Sequence, residues 1–321
     1  MVSKRLEPFR VSIFSEITAA AHAAGAVDLG QGYPSWEGPA FAKDEAIRAL
    51  SEESNQYPPY IGIPELRSAV ADRWALDTGM AIDPTSNVTV TSGCTEALSA
   101  AFIGTFDPGD EVILFEPVYD AYPVGCALSG AVPRFVTLHS PDWSIDPDEL
   151  RAAFGPATAA ILVNTPHNPT GKVFTADELQ LIADLAAEHD ALVITDEVYE
   201  RMAYARDHIR MATLPGMWDR TLTLSSIGKS FSLTGWKTGW AIGPEPLVAN
   251  VRSAKQFLTF TTPNPMQYGS AAALRAPDSY YVDLRAMYLA KRDRLVAGLD
   301  RIGFGVGSPE GAYYVLADHT G

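Results

Sequence analysis

From residue 87 onward, short apolar runs alternate with longer segments whose apolar positions recur every three or four residues. VTVT (88–91), VILF (112–115), RFVTL (134–138), AILV (160–163), LVIT (192–195) and TLTL (221–224) are too short for helices and rich in the β-branched residues that suit a pleated surface. Amphipathic stretches such as SGCTEALSAAF, DPDELRAAF and TADELQLIADLAAEH stand between them. Two helix starts fix the register. Thr175 with Glu178 forms a capping box, and Asp146 before Pro147 pairs an N-cap with a proline at the first helical position. Leu179, Ile182, Leu185 and Ala186 then fall on one apolar stripe. Strands alternating with helices in this way predict an α/β fold, a mostly parallel sheet of the seven-stranded type flanked by helices on both faces.

The two ends of the chain break the alternation. Residues 1–50 read as a helix, a loop rich in glycine and proline (LGQGYPSWEGP) and a second helix. From residue 277 a long charged helix leads to a short strand within GAYYVLAD. These ends are expected to build one smaller α+β unit, 1–50 with 277–321, beside a large unit spanning 51–276.

Composition narrows the partners. Lys and Arg number 24 against 39 Asp and Glu, a net charge of −15, without any run of like charge. That argues against nucleic acid and anionic membranes, which require a basic face. No apolar run reaches the ~20 residues that span a bilayer, and the N-terminus lacks the continuous apolar core of a signal peptide. Cys94 and Cys126 are too few for a disulfide framework and fit a reducing cytoplasm. No cluster of His, Cys, Asp or Glu has metal-binding spacing.

In open parallel sheets, ligands sit beyond the carboxyl ends of the strands. Applied here, that rule gathers Ser92-Gly93-Cys94-Thr95, Tyr119 and Tyr122, Asn164 and Asn168, Asp196 and Tyr199, and Ser226 with Lys229 along one edge. The segment SSIGKSFSLTGWKTGW (225–240) contains a Gly-Lys-Ser triplet, but the glycine a nucleotide-binding loop needs five positions earlier is Thr223. Its lysines therefore point to other chemistry. A glycine turn opening a helix offers N–H groups to a phosphate, with Ser226 and Lys237 to add a hydroxyl and a cation. Tyr119 could stack on a heterocycle, Asp196 could keep a ring nitrogen protonated, and a lysine could form an imine. A phosphate, a ring, a basic ring nitrogen and an aldehyde together describe pyridoxal phosphate.

With those residues in view, the chain resembles the fold-type I, class I/II aminotransferases, in the branch holding kynurenine, glutamine-phenylpyruvate, methionine and N-succinyldiaminopimelate aminotransferases. The resemblance rests on LGQGYP (29–34), NQYPPYIGIPELR (55–67), TSGCTEAL (91–98), EPVYDAY (116–122), NTPHNPTGKVF (164–174), TDEVYE (195–200), SSIGKSFSLTGWKTGW (225–240) and GAYYVLAD (311–318), eight stretches in family order. It implies that Lys229 is the Schiff-base lysine and Asp196 the partner of the pyridine nitrogen. Tyr199 and Asn168 match the groups bonded to the phenolic oxygen, and Tyr119 the stacking aromatic. Gly93, Cys94 and Thr95, with Ser226 and Lys237, match the phosphate cup. Tyr57 matches a tyrosine that reaches the neighbouring subunit's phosphate, which implies a homodimer. Gly32, Phe14 and Asn168 match positions beside the substrate. His167 is expected to be a loop residue, because Lys229 already supplies the base.

The implied reaction moves an amino group from an L-amino acid to a 2-oxo acid, with ping-pong kinetics. Tyr33, Trp36, Tyr60 and Tyr122 lend the N-terminal and loop regions an aromatic cast, favouring a hydrophobic, aromatic, sulfur-containing or glutamine-like amino acid. Carbon–sulfur elimination and amino-acid oxidation share the same residues and stay open. Relatives continue past residue 321 with an arginine that clamps the substrate carboxylate, and no arginine here is nominated for it, so a truncated, cofactor-binding but catalytically deficient protein is carried as the alternative.

Overall fold

The structure, a computed structural model, describes residues 3–9, 13–30 and 32–320; the side chains of Ile13 and Phe14 also lie outside the description. Ten strands are present among these residues: β1 (Val88–Thr91), β2 (Glu111–Glu116), β3 (Val132–His139), β4 (Ser144–Ile145), β5 (Thr158–Asn164), β6 (Leu192–Asp196), β7 (Thr221–Ser226), β8 (Gly239–Ile242), β9 (Gly305–Val306) and β10 (Ala317–Asp318). The helices are α1 (Ile13–Ala24), α2 (Ala40–Glu52), α3 (Pro64–Thr78), α4 (Gly93–Thr105), α5 (Ala121–Ser129), α6 (Pro147–Ala153), α7 (Ala176–Glu188), α8 (Glu245–Leu258), α9 (Asn264–Leu274) and α10 (Asp278–Arg301).

Eight strands form the main sheet in the order β1-β8-β7-β6-β5-β2-β3-β4. From β7 across to β3 every pairing is parallel, whereas β8 runs antiparallel to both β1 and β7, and β4 antiparallel to β3. The expected mostly parallel sheet is present, with eight strands rather than seven because the two-residue β4 folds back on β3. The expected strand in GAYYVLAD shrinks to Ala317–Asp318, paired with β9 in a separate two-stranded sheet.

The central strands are buried on both faces, which explains their continuous apolar runs. Successive side chains alternate between faces: Val112 and Leu114 of β2 join Phe102 of α4 and Val248 of α8 on one side, while Ile113 and Phe115 meet Leu150 of α6 and Leu179 of α7 on the other. The predicted α7 stripe is buried throughout. A third cluster joins Trp74 of α3 and Ala273 of α9 to Val88 and Trp240 at the β1 edge. Helix α2 packs on α9.

The loop from β5 to α7 carries Asn168 and is held from below. Asp146 caps α6 as expected, and Thr175 and Glu178 complete the capping box of α7, with Glu178 accepting from the Thr175 backbone N–H at 2.8 Å. The same Glu178 carboxylate receives the Lys172 ammonium at 2.7 Å, both side chains being largely buried. His167 is a loop residue, as expected, but a buried one, its Nδ1 lying 2.8 Å from the Thr170 hydroxyl.

Glu178→Ala removes the acceptor for the Thr175 N–H and leaves the Lys172 charge buried without its partner, so a loss of roughly 2–4 kcal/mol is expected in urea unfolding. Glu178→Gln, which keeps the capping geometry, should lose less. Burial, reinforced by the Lys172 charge, holds the His167 imidazole down to about 3. An unfolded histidine titrates near 6.5, so between the two values only the unfolded chain takes up that proton. Stability should fall as pH drops from about 6.5 towards 3, by up to ~1.4 kcal/mol per unit from this residue. Urea midpoints measured for wild type and His167→Gln at several pH values across that window should show a shallower decline in the variant.

Candidate active site

The carboxyl ends of β1, β2, β5, β6 and β7 meet at one edge of the sheet, and because β8 runs the other way its amino end joins them: Gly239 is paired with both Thr91 and Ser226. A cavity of about 260 Å³ opens at this edge. Gly32, Gly93, Cys94, Thr95, Tyr119, Asn168, Asp196, Tyr199, Ser226, Lys229 and Lys237 all line it. Residues spread over some two hundred positions of sequence thus share one wall.

The floor is the start of α4. Its N-cap, Ser92, makes no side-chain bond to the first turn, in contrast to the capped α6 and α7. The first N–H groups of α4 therefore face the cavity with the positive end of the helix dipole behind them, a ready anion site. Gly93 has φ +75°, and a Cβ there would stand 3.2 Å from the Lys237 ammonium nitrogen, so the cation lies directly over the turn. Lys237 itself takes a left-handed conformation, φ 51°, in the tight turn before β8. Gly239 must also lack a side chain, since a Cβ would meet the Gly93 carbonyl carbon at 2.6 Å and the Cys94 nitrogen at 2.7 Å.

The same cavity also holds a carboxylate. Asp196, the last residue of β6, is 6% exposed and makes no ion pair among the described residues. It accepts from the Tyr122 hydroxyl at 3.0 Å and the Val198 backbone N–H at 3.3 Å. Burial pushes its carboxyl up, and those two bonds, the Cys94 thiol and the Lys229 charge pull in the other direction. A buried carboxylate lining a cavity, held by neutral hydrogen-bond donors and not by an ion pair, is complementary to a cationic N–H group on a ligand.

Lys229 follows β7 and reaches the cavity from the middle of the edge. Its Nζ donates to the Gly32 carbonyl at 2.9 Å and stands 5.7 Å from the ring centres of Tyr199 and Tyr313. Burial lowers its pKa, with Asp196 opposing and Lys237 adding to the depression. More of the amine is then neutral, the form that can attack a carbonyl or take a proton.

Asn164, at the end of β5, braces the remaining polar groups. Its amide donates to the Asp196 carbonyl at 2.8 Å, and its side-chain oxygen accepts from the Asn168 backbone N–H at 2.6 Å. Tyr199 is 2% exposed, with its hydroxyl 2.7 Å from that of Tyr314.

Not every expected residue is gathered here. Tyr57, expected to reach a neighbouring subunit's site, lies outside this cavity, 82% exposed and edge-on to Phe260. The Phe14 side chain lies outside the described residues. Of the aromatics taken as a substrate signal, only Tyr122 lines the cavity, and its hydroxyl is engaged by Asp196, while Tyr33 is 61% exposed and the Trp36 indole N–H donates to Tyr288. Conversely, Tyr314, Val198 and Thr234 line the cavity without having been singled out as site residues, while Tyr122, placed at this edge, serves as a partner of Asp196. Tyr314 comes from the far end of the chain, where local pattern carries no hint of its destination.

The arrangement combines an anion site, an uncompensated carboxylate and a lysine of lowered pKa around one small cavity. The family described as Aminotransferase class I and II matches residues 24–321. Among relatives, a protein of Mycobacterium tuberculosis described as a probable N-succinyldiaminopimelate aminotransferase, DapC, is 45% identical over 99% of this chain and 81% of its own length. Kynurenine–oxoglutarate transaminase 3 of Rattus norvegicus is 40% identical over 98% of this chain and 74% of its own. The solved structure of N-succinyldiaminopimelate aminotransferase from Mycobacterium tuberculosis superposes with a TM-score of 0.97 at 43% identity, covering 99% of this chain and 84% of that one. Fold, cavity and relatives agree, and the chain belongs to the family of class I and II aminotransferases.

Proposed function

We propose that the cavity holds pyridoxal 5′-phosphate and that the chain uses it to move an amino group from a hydrophobic, aromatic, sulfur-containing or glutamine-like L-amino acid to a 2-oxo acid. The observation that carries this reading is the meeting, in one cavity, of the uncapped start of α4 beneath Lys237, the uncompensated Asp196 carboxylate and the Lys229 amine. Those features fit a ligand with a dianion at one end and a protonated ring nitrogen at the other. When bound, such a cofactor supplies an aldehyde carbon for the amine and a ring that takes up the electron pair released at the substrate Cα.

Each residue then has a definite task. The backbone of Gly93, Cys94 and Thr95, the Ser226 hydroxyl and the Lys237 ammonium hold the phosphate. Asp196 accepts the ring N–H, braced by Tyr122, and Tyr119 covers the ring. Tyr199 and Asn168 donate to the phenolic oxygen. Lys229, whose amine rests on the Gly32 carbonyl, would supply the amine that meets that aldehyde carbon and the base for the proton at the substrate Cα. Gly32 would lie towards the substrate in this reading. The names of the relatives, one acting on kynurenine and one on N-succinyldiaminopimelate, support amino-acid substrates with long or aromatic side chains.

We also infer a homodimer in which Tyr57 reaches the neighbouring site; its exposure, together with that of Phe257 and Leu258, supports this. The small unit built by 1–50 and 277–321 is supported at its C-terminal side by the separate β9–β10 sheet, whereas the packing of α2 on α9 ties that helix to the large unit. Free Cys94 and Cys126 support a cytoplasmic setting, and no described helix is long and apolar enough to cross a membrane.

Purified chain mixed with pyridoxal 5′-phosphate should develop a visible absorbance band that Lys229→Ala abolishes. Methionine, phenylalanine, kynurenine or glutamine should bleach the band and a 2-oxo acid should restore it. A band indifferent to every amino acid would sink amino transfer, and release of ammonia with pyruvate from cysteine conjugates would redirect the reading to carbon–sulfur elimination. Tyr57→Ala should leave the dimer intact in light scattering while weakening cofactor affinity about tenfold, the worth of one hydrogen bond to an anion.

A further inference from the structure

Two adjacent tyrosines enter the site from the far end of the chain. Ala203 and Gly311 form a β-bridge, and the Ala312 N–H donates to the Met202 carbonyl at 2.9 Å, fixing the residues just beyond Ala312 against the segment after β6. Tyr313 then donates to the Gly32 carbonyl at 2.5 Å, and the Tyr314 hydroxyl lies 2.7 Å from the Tyr199 hydroxyl. Both rings meet the Tyr199 ring edge-on, at 5.2 and 5.7 Å between centres. A Cβ on Gly32 would stand 2.3 Å from the Tyr314 oxygen, so this hydroxyl fills space that only a glycine leaves free.

Two phenols in contact share one proton, and the second proton is free for another acceptor. If Tyr199 donates to Tyr314, its proton is spent and it has none for the cavity. If Tyr314 donates to Tyr199, the Tyr199 proton is available to a ligand, and a chain of two such bonds polarises the outer one and strengthens it. An anionic oxygen in the cavity selects the second arrangement. We infer that Tyr314 is a positioning residue: its hydroxyl donates to the Tyr199 oxygen, so that Tyr199 presents its own proton to the anionic ring oxygen of the ligand. The inference rests on the cofactor reading of the cavity and adds to it a residue from the C-terminal segment.

The titratable groups facing this pair are Lys229 from the turn after β7, Asp196 at the end of β6, Tyr119 from the turn after β2, and Tyr313 alongside. All are retained when Tyr314 is replaced by phenylalanine, which keeps the ring and removes only the hydroxyl. A hydrogen bond to the ring oxygen favours whichever protonation form of the complex carries more negative charge there. Weakening that bond moves the pH midpoint of the visible band upward.

The experiment is a titration of visible absorbance between about pH 5 and pH 10 with pyridoxal 5′-phosphate bound, for wild type, Tyr314→Phe, Tyr199→Phe and the double variant. The midpoint should rise by a few tenths of a unit in Tyr314→Phe and further in Tyr199→Phe. In the Tyr199→Phe background, Tyr314→Phe should add nothing, since its effect travels through the Tyr199 hydroxyl. An unchanged midpoint in Tyr314→Phe overturns the inference. So does a shift of equal size in both backgrounds, which would show Tyr314 acting on the ligand directly. A wild-type chain that forms no band at any pH overturns the cofactor reading itself, and this inference with it.

Discussion

Removing a carboxylate from water costs several kcal/mol unless partners compensate it, and the end of β6 buries two in succession. Strand geometry sends their side chains to opposite faces. Glu197, fully buried on the far face, is compensated completely: Arg210 stands at 2.6 Å, His208 at 2.9 Å and the Thr195 hydroxyl at 3.0 Å. Arg210 also pairs with Glu200 at 2.7 Å and Asp77 at 3.1 Å, so one guanidinium grips both ends of the turn that carries Asp196 and Tyr199. Asp196 has a phenol, a thiol and an N–H group as partners but no cation in an ion pair among the described residues. The ion-paired network behind the turn holds in place a carboxylate that has hydrogen-bond donors but no ion pair in front of it.

The same contrast recurs around the cavity. Helices α6 and α7 have their first turns capped by Asp146 and Thr175. Helix α4, at the site, does not, and its orphan N–H groups lie beside the Lys237 cation. The cavity therefore concentrates binding capacity of both signs, positive at α4 and negative at Asp196, with Lys229 lining the same space. Unused donors and charges of this kind are costly in a core and useful only where a ligand completes them.

Three distant segments close the site above the sheet. Gly32 offers its carbonyl to both Lys229 and Tyr313, and Tyr314 touches Gly32 and Tyr199. The segment near residue 32 is thus tied to the lysine and to the chain's last described stretch through single hydrogen bonds. Such ties hold the wall in place yet are weak enough to exchange when a ligand offers better partners.

Much of this was legible from local pattern. Apolar runs of four or five residues, the Thr175–Glu178 box and the Asp146–Pro147 start determined the strands, the helices and the edge at which Asn168, Asp196, Ser226 and Lys229 converge, because the period of side-chain direction and the needs of helix ends act within a few residues. Tertiary structure alone decided the rest. The reversal of β8, which brings Lys237 and Gly239 to the site edge, depends on pairing with strands distant in sequence. The engagement of Tyr122 by Asp196 and the arrival of Tyr314 beside Tyr199 depend on contacts across 74 and 115 positions. Nothing in a short window of sequence specifies the other partner of such a pair, since it is chosen by the packing of the whole sheet and not by the residues beside it.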